Sequence, residues 1–167
     1  VTVAAKALID QIDESDGALD GDLGIHQVSI DTFADNAEVR QSLTSDADVL
    51  KAAIDAIPEP TSQLTNIAAG IEIAAVDLGG CQAQERIEVI LSNGAQTFSG
   101  NVTQAAVDAV DAGNVTKFYT IGVDTSAAGE TQLKNVAAVA PGGYYDVENA
   151  SGIQAAFDEI FQAISAG

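Results

Sequence analysis

The chain has 167 residues, 47% of them apolar, which is the size of one ordinary domain with a continuous core. Twenty-five Asp and Glu stand against six Lys and Arg, a formal net charge of −19 that repels nucleic acid and anionic membranes. The same charge favours cations, basic partners or a saline setting, and it also reads as plain solvation.

Tryptophan and methionine are absent and aromatics are only 5%, so the core is built mainly from Ala, Val, Ile and Leu. That composition suits a buried parallel sheet covered by alanine-rich helices. Cys81 is the one cysteine, which excludes an intramolecular disulfide. No run of 18 apolar residues marks a membrane span. The opening VTVAAKALIDQIDESD has no basic head before an apolar stretch and reads as a helix already under way. A removed leader, or a start inside a larger product, is the expectation.

In chain order, Val3, Ala4, Ala7, Leu8 and Ile12 give helical spacing over 2–14, followed by a turn-rich SDGALDGD at 15–22. Leu23–Phe33 reads as a strand, Asp35-Asn36 as a turn, and Val39 to Leu43 as a short edge strand. A helix is expected over Asp46–Ile57, capped by Ser45 and stopped by Pro58 and Pro60. TSQLTN at 61–66 forms a polar loop before a helix over Ile67–Leu78. Arg86 to Leu91 is the clearest strand, ended by Ser92-Asn93-Gly94. A helix over 101–112, a strand over Lys117–Val123, and a helix over Glu130–Ala140 closed by Pro141-Gly142-Gly143 follow. A short strand, Tyr144–Val147, leads to a last helix over Gly152–Ala166 that opens at Asn149 or Ser151. Strands alternating with helices indicate one open α/β domain spanning 1–167.

Catalytic constellations are lacking. His26 is the single histidine, Ser92 lies in no G-x-S-x-G elbow, and neither a Walker A nor a dinucleotide fingerprint occurs. The chain is therefore read as a non-enzyme. Asp13, Asp16, Asp20 and Asp22 cluster in a glycine-rich turn that reads either as a Ca²⁺ loop or as a solvated one, without EF-hand spacing. Three N-x-S/T triplets, at Asn101, Asn114 and Asn149, are glycan acceptors in a glycosylating cell and equally caps or turns.

Several segments, taken in order, resemble von Willebrand factor A-like (integrin I-like) domains. LGIHQVSIDTFADNAEVRQSLTSDADVLKAAIDAI is similar to the family's second strand, F-(S/A)-D turn, edge strand and helix. LTNIAAGIEIA resembles its threonine loop and helix, RIEVILSNGAQ its VLLTDG strand and loop, and FYTIGVDT its VFAIGVG strand. LKNVAAVAPGGYYDVENASGIQAAFDEIFQAI resembles the closing helix, strand and helix.

The resemblance implies an open, mostly parallel, doubly wound sheet with helices on both faces and one small antiparallel edge strand. It also implies Mg²⁺ or Ca²⁺ held at the carboxyl edge. Thr65 matches the family's second-loop threonine, while Asn93 stands where the family has an acid. The family's first strand and its Asp-x-Ser-x-Ser motif have no counterpart here. Thr65 and Asn93 are the candidate metal ligands, each also readable as a loop or turn residue. Asp31, Asp35 and Asp124 are candidates for the rim of a ligand face.

A central strand cannot be dropped without exposing two rows of backbone groups, so completion by a donated strand, or by one outside the 167 residues, is expected. The expected function is non-enzymatic protein binding or self-assembly in an extracellular or cell-surface protein. The alternative is a divalent-metal-dependent adhesion module whose first metal motif is supplied by that strand.

Overall fold

A computed structural model describes residues 2–15, 21, 23–59 and 61–166. Asp16, Asp20, Asp22 and Pro60, singled out in the sequence, lie outside the described residues. The elements run α1 (Thr2–Ser15), β1 (Val28–Phe33), β2 (Ala37–Thr44), α2 (Ala47–Asp55), α3 (Ile67–Gly79), β3 (Ile87–Ser92), α4 (Val102–Asp111), β4 (Lys117–Val123), α5 (Ala127–Ala137), β5 (Gly142–Val147) and α6 (Ile153–Ser165).

The strand-rich, apolar segments IEVILS and KFYTIGV pair in parallel, and β5 joins on the far side of β4, giving the order β3-β4-β5. Each step needs a helical crossover, supplied by α4 and α5. On one face, Ile90 and Phe118 meet Ile71 and Ala75 of α3, Ala105 and Ala106 of α4, and Leu133 and Val136 of α5. On the other face, Tyr119, Ile121 and Val147 meet Ala4 of α1 and Ile153, Phe157 and Ile160 of α6. Helices thus cover both faces.

The sheet is not the continuous, mostly parallel one expected. β1 and β2 form a separate antiparallel hairpin, and β3-β4-β5 is a parallel sheet of three. Among the described residues β1 pairs only with β2, and β3 only with β4, so no ladder joins the hairpin to the parallel sheet. The edge strand is also longer than expected, since Phe33↔Ala37 pairing closes the hairpin tightly around Ala34-Asp35-Asn36.

Boundaries shift where capping decides them. Asp46, not Ser45, caps α2 by accepting the Val49 amide at 2.9 Å, and the helix ends at Asp55 before the prolines act. Ser126 caps α5 and starts it three residues earlier than the apolar pattern alone suggests. Leu23 to Gln27 is not strand: the Leu23 amide is held by the Ser45 carbonyl, which ties this segment to the start of α2 instead.

Candidate functional site

Two places gather the sequence-marked residues. The first is the carboxyl edge, where the loops around 33–36, 61–66 and 92–97 meet. The Thr65 amide donates to Thr97 Oγ1 at 2.8 Å and the Thr97 amide to the Thr65 carbonyl at 2.8 Å. Asn66 is the hub. Its Oδ1 caps α3 through the Ala69 amide and also accepts from Gln96 Nε2, while its Nδ2 donates to the Asp35 carbonyl. Gln96 in turn accepts the Ala68 amide on Oε1. Replacing Asn66 by alanine is expected to cost about 1–2 kcal/mol, one cap plus two tethers. Chemical denaturation would measure it, with the same midpoint as wild type as the contrary result.

Thr65 faces Gly94, close enough that a Cβ built on Gly94 would lie 3.5 Å from Thr65 Oγ1. Asn93 is exposed one residue away. The structure therefore brings Thr65 beside the Asn93 loop. Asp35 joins the same edge, exposed, with its carboxylate accepting the Asn36 amide. Asp124 is exposed at the end of β4 with φ of 49°, its amide bound to Val147. Asp31 is elsewhere, inside β1.

Tested against a metal, this donor set falls short. Thr65 and Asn93 offer two neutral oxygens, and among the described residues no group of three or more His, Cys, Asp or Glu is arranged for an ion. By themselves these residues do not fit Mg²⁺ or Ca²⁺. Calorimetric titration of the 167-residue domain with Mg²⁺ is expected to show nothing tighter than about 1 mM, the weak end for oxygen sites short of charge. Micromolar binding would contradict that. In the acidic turn, Asp13 accepts the Gly21 amide at 3.2 Å.

The second place is the slot between the two sheets. Phe33 of β1 lies against Gly70 of α3, so Asp31, two residues earlier, points to the same side. Glu88 shares a face of β3 with Ile90, which packs on α3. Both carboxylates therefore face α3 across the slot. Ser29 Oγ donates to Asp31 Oδ2 at 3.3 Å, while Asp31 Oδ1 and Glu88 Oε2 are buried without a partner. Glu88 is only 6% exposed.

Burial pushes Asp31 up to about 6, eased by the Ser29 bond and reinforced by Asp77. Burial raises Glu88 well above the usual carboxylate range, and the neighbouring Asp31 adds to it. Reading along the sequence passed over Glu88. The signal was a lone charge in the most apolar strand, IEVIL, at a position whose neighbours on the same face are buried.

The acceptor asparagines sit at element starts. Asn101 caps α4 and Asn149 caps the short 3-10 turn before α6, both exposed. Asn114 is packed under α3, with its Oδ1 only 2.5 Å from where a Gly79 Cβ would stand. Cys81 is half-buried and free. His26 lies in the segment before β1, not within a strand. No described helix is long and apolar enough to cross a membrane.

A parallel sheet with flanking helices, a hairpin at one side and a loop threonine set beside a Ser-Asn-Gly turn define an A-type α/β domain. The model of the von Willebrand factor type A domain family matches residues 1–159, and the chain belongs to that family.

Solved structures agree on the fold. The chain is similar to proximal thread matrix protein 1 from the mussel byssus, in a form with a zinc-occupied MIDAS motif, at 18% identity and TM-score 0.79. That match covers 98% of this chain and 39% of the mussel protein, so the chain spans about two fifths of it. An aerotolerance-related membrane protein from Bacteroides fragilis aligns at 20% identity and TM-score 0.73, over 99% of this chain and 89% of that one. The vWF domain of the type V pili tip protein Mfa5 from Porphyromonas gingivalis aligns at 13% identity and TM-score 0.76, over 99% and 87%. No curated protein sequence matches the chain significantly.

Proposed function

We propose that this domain is a non-enzymatic binding and assembly module of an extracellular or cell-surface protein, and that its sheet is completed by a strand from outside the 167 residues. One observation carries the second half. α1 and α3 each span both sheets, on opposite faces, while β1 and β3 leave their facing edges unpaired. α1 places Ala4 in the cluster on the β3-β4-β5 face and Ile9 in a second cluster, against which Val28 and Ile30 of β1 also pack. α3 touches Phe33 of β1, accepts the Leu43 amide on Asp77, and packs on Ile90 and Phe118.

Two helices bridging two sheets that share no ladder leave strand edges with which a further strand can pair. Burial supports it. β4, flanked on both sides, buries Phe118 to Gly122, whereas all six residues of β1 and Ile87, Val89 and Leu91 of β3 are only half-buried. Strand addition supplies main-chain hydrogen bonds and covers those side chains together. The related mussel-thread and pilus-tip proteins support an assembly role outside the cell.

In a second reading, the completing strand also brings carboxylate and hydroxyl oxygens to Thr65 and Asn93 and closes a divalent-metal site. The position of Thr65 against Gly94 favours it. Asn101 and Asn149, exposed at element starts, are then the more open glycan positions.

The test is the mass of the protein isolated from its source, under native and denaturing conditions. Polypeptide beyond these 167 residues, in the same chain or tightly held as a second one, is the expected result. A monomer with the mass of these residues alone would contradict strand completion.

A further inference from the structure

We infer that the slot is shaped for an extended segment from outside the 167 residues that places a basic side chain between Asp31 and Glu88 on its α3-facing side and apolar side chains on its α1-facing side. The inference rests on the strand completion proposed above and adds the chemistry of the strand.

The two faces of the slot differ. Toward α1, its walls are apolar: Ala5 and Leu8 of the helix, Ile30 of β1, and Val89 and Leu91 of β3. Toward α3, each wall sets a carboxylate beside an apolar residue, Asp31 with Phe33 and Glu88 with Ile90. Asp31 and Glu88 each keep one buried oxygen without a donor, and Asp77 lies close enough to raise Asp31 further. A segment with strand periodicity presents alternate residues to these two walls, apolar to one and polar to the other.

Among the described residues, no lysine or arginine is left for them. All six Lys and Arg are engaged elsewhere. Lys6 pairs with Asp55, Arg40 with Glu38, Lys51 with Asp10, Lys117 with Glu85 and Lys134 with Glu130. Arg86 donates to the carbonyls of Ala83 and Gly113. Buried carboxylates call for a charged, hydrogen-bonded partner. A serine or threonine hydroxyl gives one proton and no charge. A lysine ammonium carries three donors on a flexible apolar stem, so it can serve Asp31 Oδ1 and Glu88 Oε2 together.

The probes are three labelled nine-residue peptides with valine and isoleucine alternating with threonine. They differ only at one inner threonine position, which carries lysine, norleucine or glutamate. Affinity is read by fluorescence anisotropy at pH 7.5, and the site by amide exchange.

The lysine peptide is expected to bind at least about tenfold tighter than the norleucine peptide and to protect amides of β1 and β3. In the Asp31→Asn, Glu88→Gln double variant that preference is expected to fall to within about twofold. Each replacement keeps the side-chain volume, and the fold is checked by circular dichroism.

Binding that protects β1 and β3 but does not distinguish the three peptides would overturn the basic-residue inference and leave strand completion standing. So would a lysine preference that survives in the double variant. Absence of lysine-peptide binding at about 1 mM would overturn the inference as well, and slow exchange of the slot-facing amides in the unliganded domain would overturn strand completion with it.

Discussion

Gly142→Ala is expected to destabilise the domain by about 3 kcal/mol, the upper part of the usual range for overpacking at a site that cannot yield. Gly142 pairs with Phe118 at the start of β5, where a Cβ would stand 1.7 Å from the Phe118 carbonyl oxygen and 2.6 Å from its carbon. The obstacle is backbone, not a flexible side chain. Relief requires β5 to separate from β4, which loosens the ladder that carries Tyr144 and Tyr145. Thermal unfolding should show a drop of about 6–12 °C.

Gly113→Ala provides the contrast. Gly113 follows α4 at φ +73° with nothing within 4 Å, so alanine meets only the left-handed backbone cost of about 1–2 kcal/mol. If Gly142→Ala proved no worse than Gly113→Ala, the close approach of β5 to β4 would be wrong.

Glu88→Gln is expected to raise stability at pH 8, an unusual sign for a change at a buried position. The folded state raises the affinity of both Asp31 and Glu88 for protons above that of the unfolded chain. Between the ordinary carboxylate range and the raised values, the folded state therefore binds more protons than the unfolded one, and stability falls as pH rises. For Asp31 the penalty is absent below 3.8, grows through that window, and is complete above about 6. Asp31 is partly open to solvent, so its share is reduced by screening.

Glu88 is the larger contributor because it is nearly fully buried and its Oε2 has no donor. Removing an unpaired buried charge while leaving a polar amide should gain about 1–2 kcal/mol at pH 8, or about 3–6 °C. The net charge of −19 also favours acidification through relief of general repulsion, so the wild-type trend alone does not isolate these groups. The difference does: melting curves from about pH 4 to 8 should be flatter for the Asp31→Asn, Glu88→Gln variant, and the two proteins should converge only as pH falls to the ordinary carboxylate range, about 4. A variant less stable than wild type at pH 8 would show that the carboxylates already have a partner.

Most elements were legible because their signals are local. The periodicity of Ile67, Ile71, Ala75 and Leu78, and the apolar runs in β3 and β4, each suffice to identify an element. Ends were less legible because they depend on which hydroxyl or carboxylate takes a free amide, as Asp46 does in place of Ser45. Gly142 reads as a loop residue in sequence. It is strand because Phe118, 24 positions earlier, comes so close, and no local pattern carries that information.

The carboxyl edge was legible through Thr65 and Asn93, since their neighbours match a known order of motifs. The hub Asn66 and its partner Gln96 were not, because their bonds join loops 30 residues apart. The slot was foreseeable only as a missing strand. Its carboxylate pair depends on Asp31 and Glu88 facing α3 together, which requires the packing of three separate elements.

Hydrogen exchange on the 167-residue domain tests strand completion most directly. In β4 the amides are held between β3 and β5, whereas β3 can use only alternate amides toward β4, and β1 only those toward β2. The slot-facing set in β1 and β3 should exchange at least about a hundredfold faster than the amides of β4, as expected where local opening costs little. Equal protection of the slot-facing amides and those of β4 in the isolated domain would mean that the two sheets close on each other and that no strand is missing.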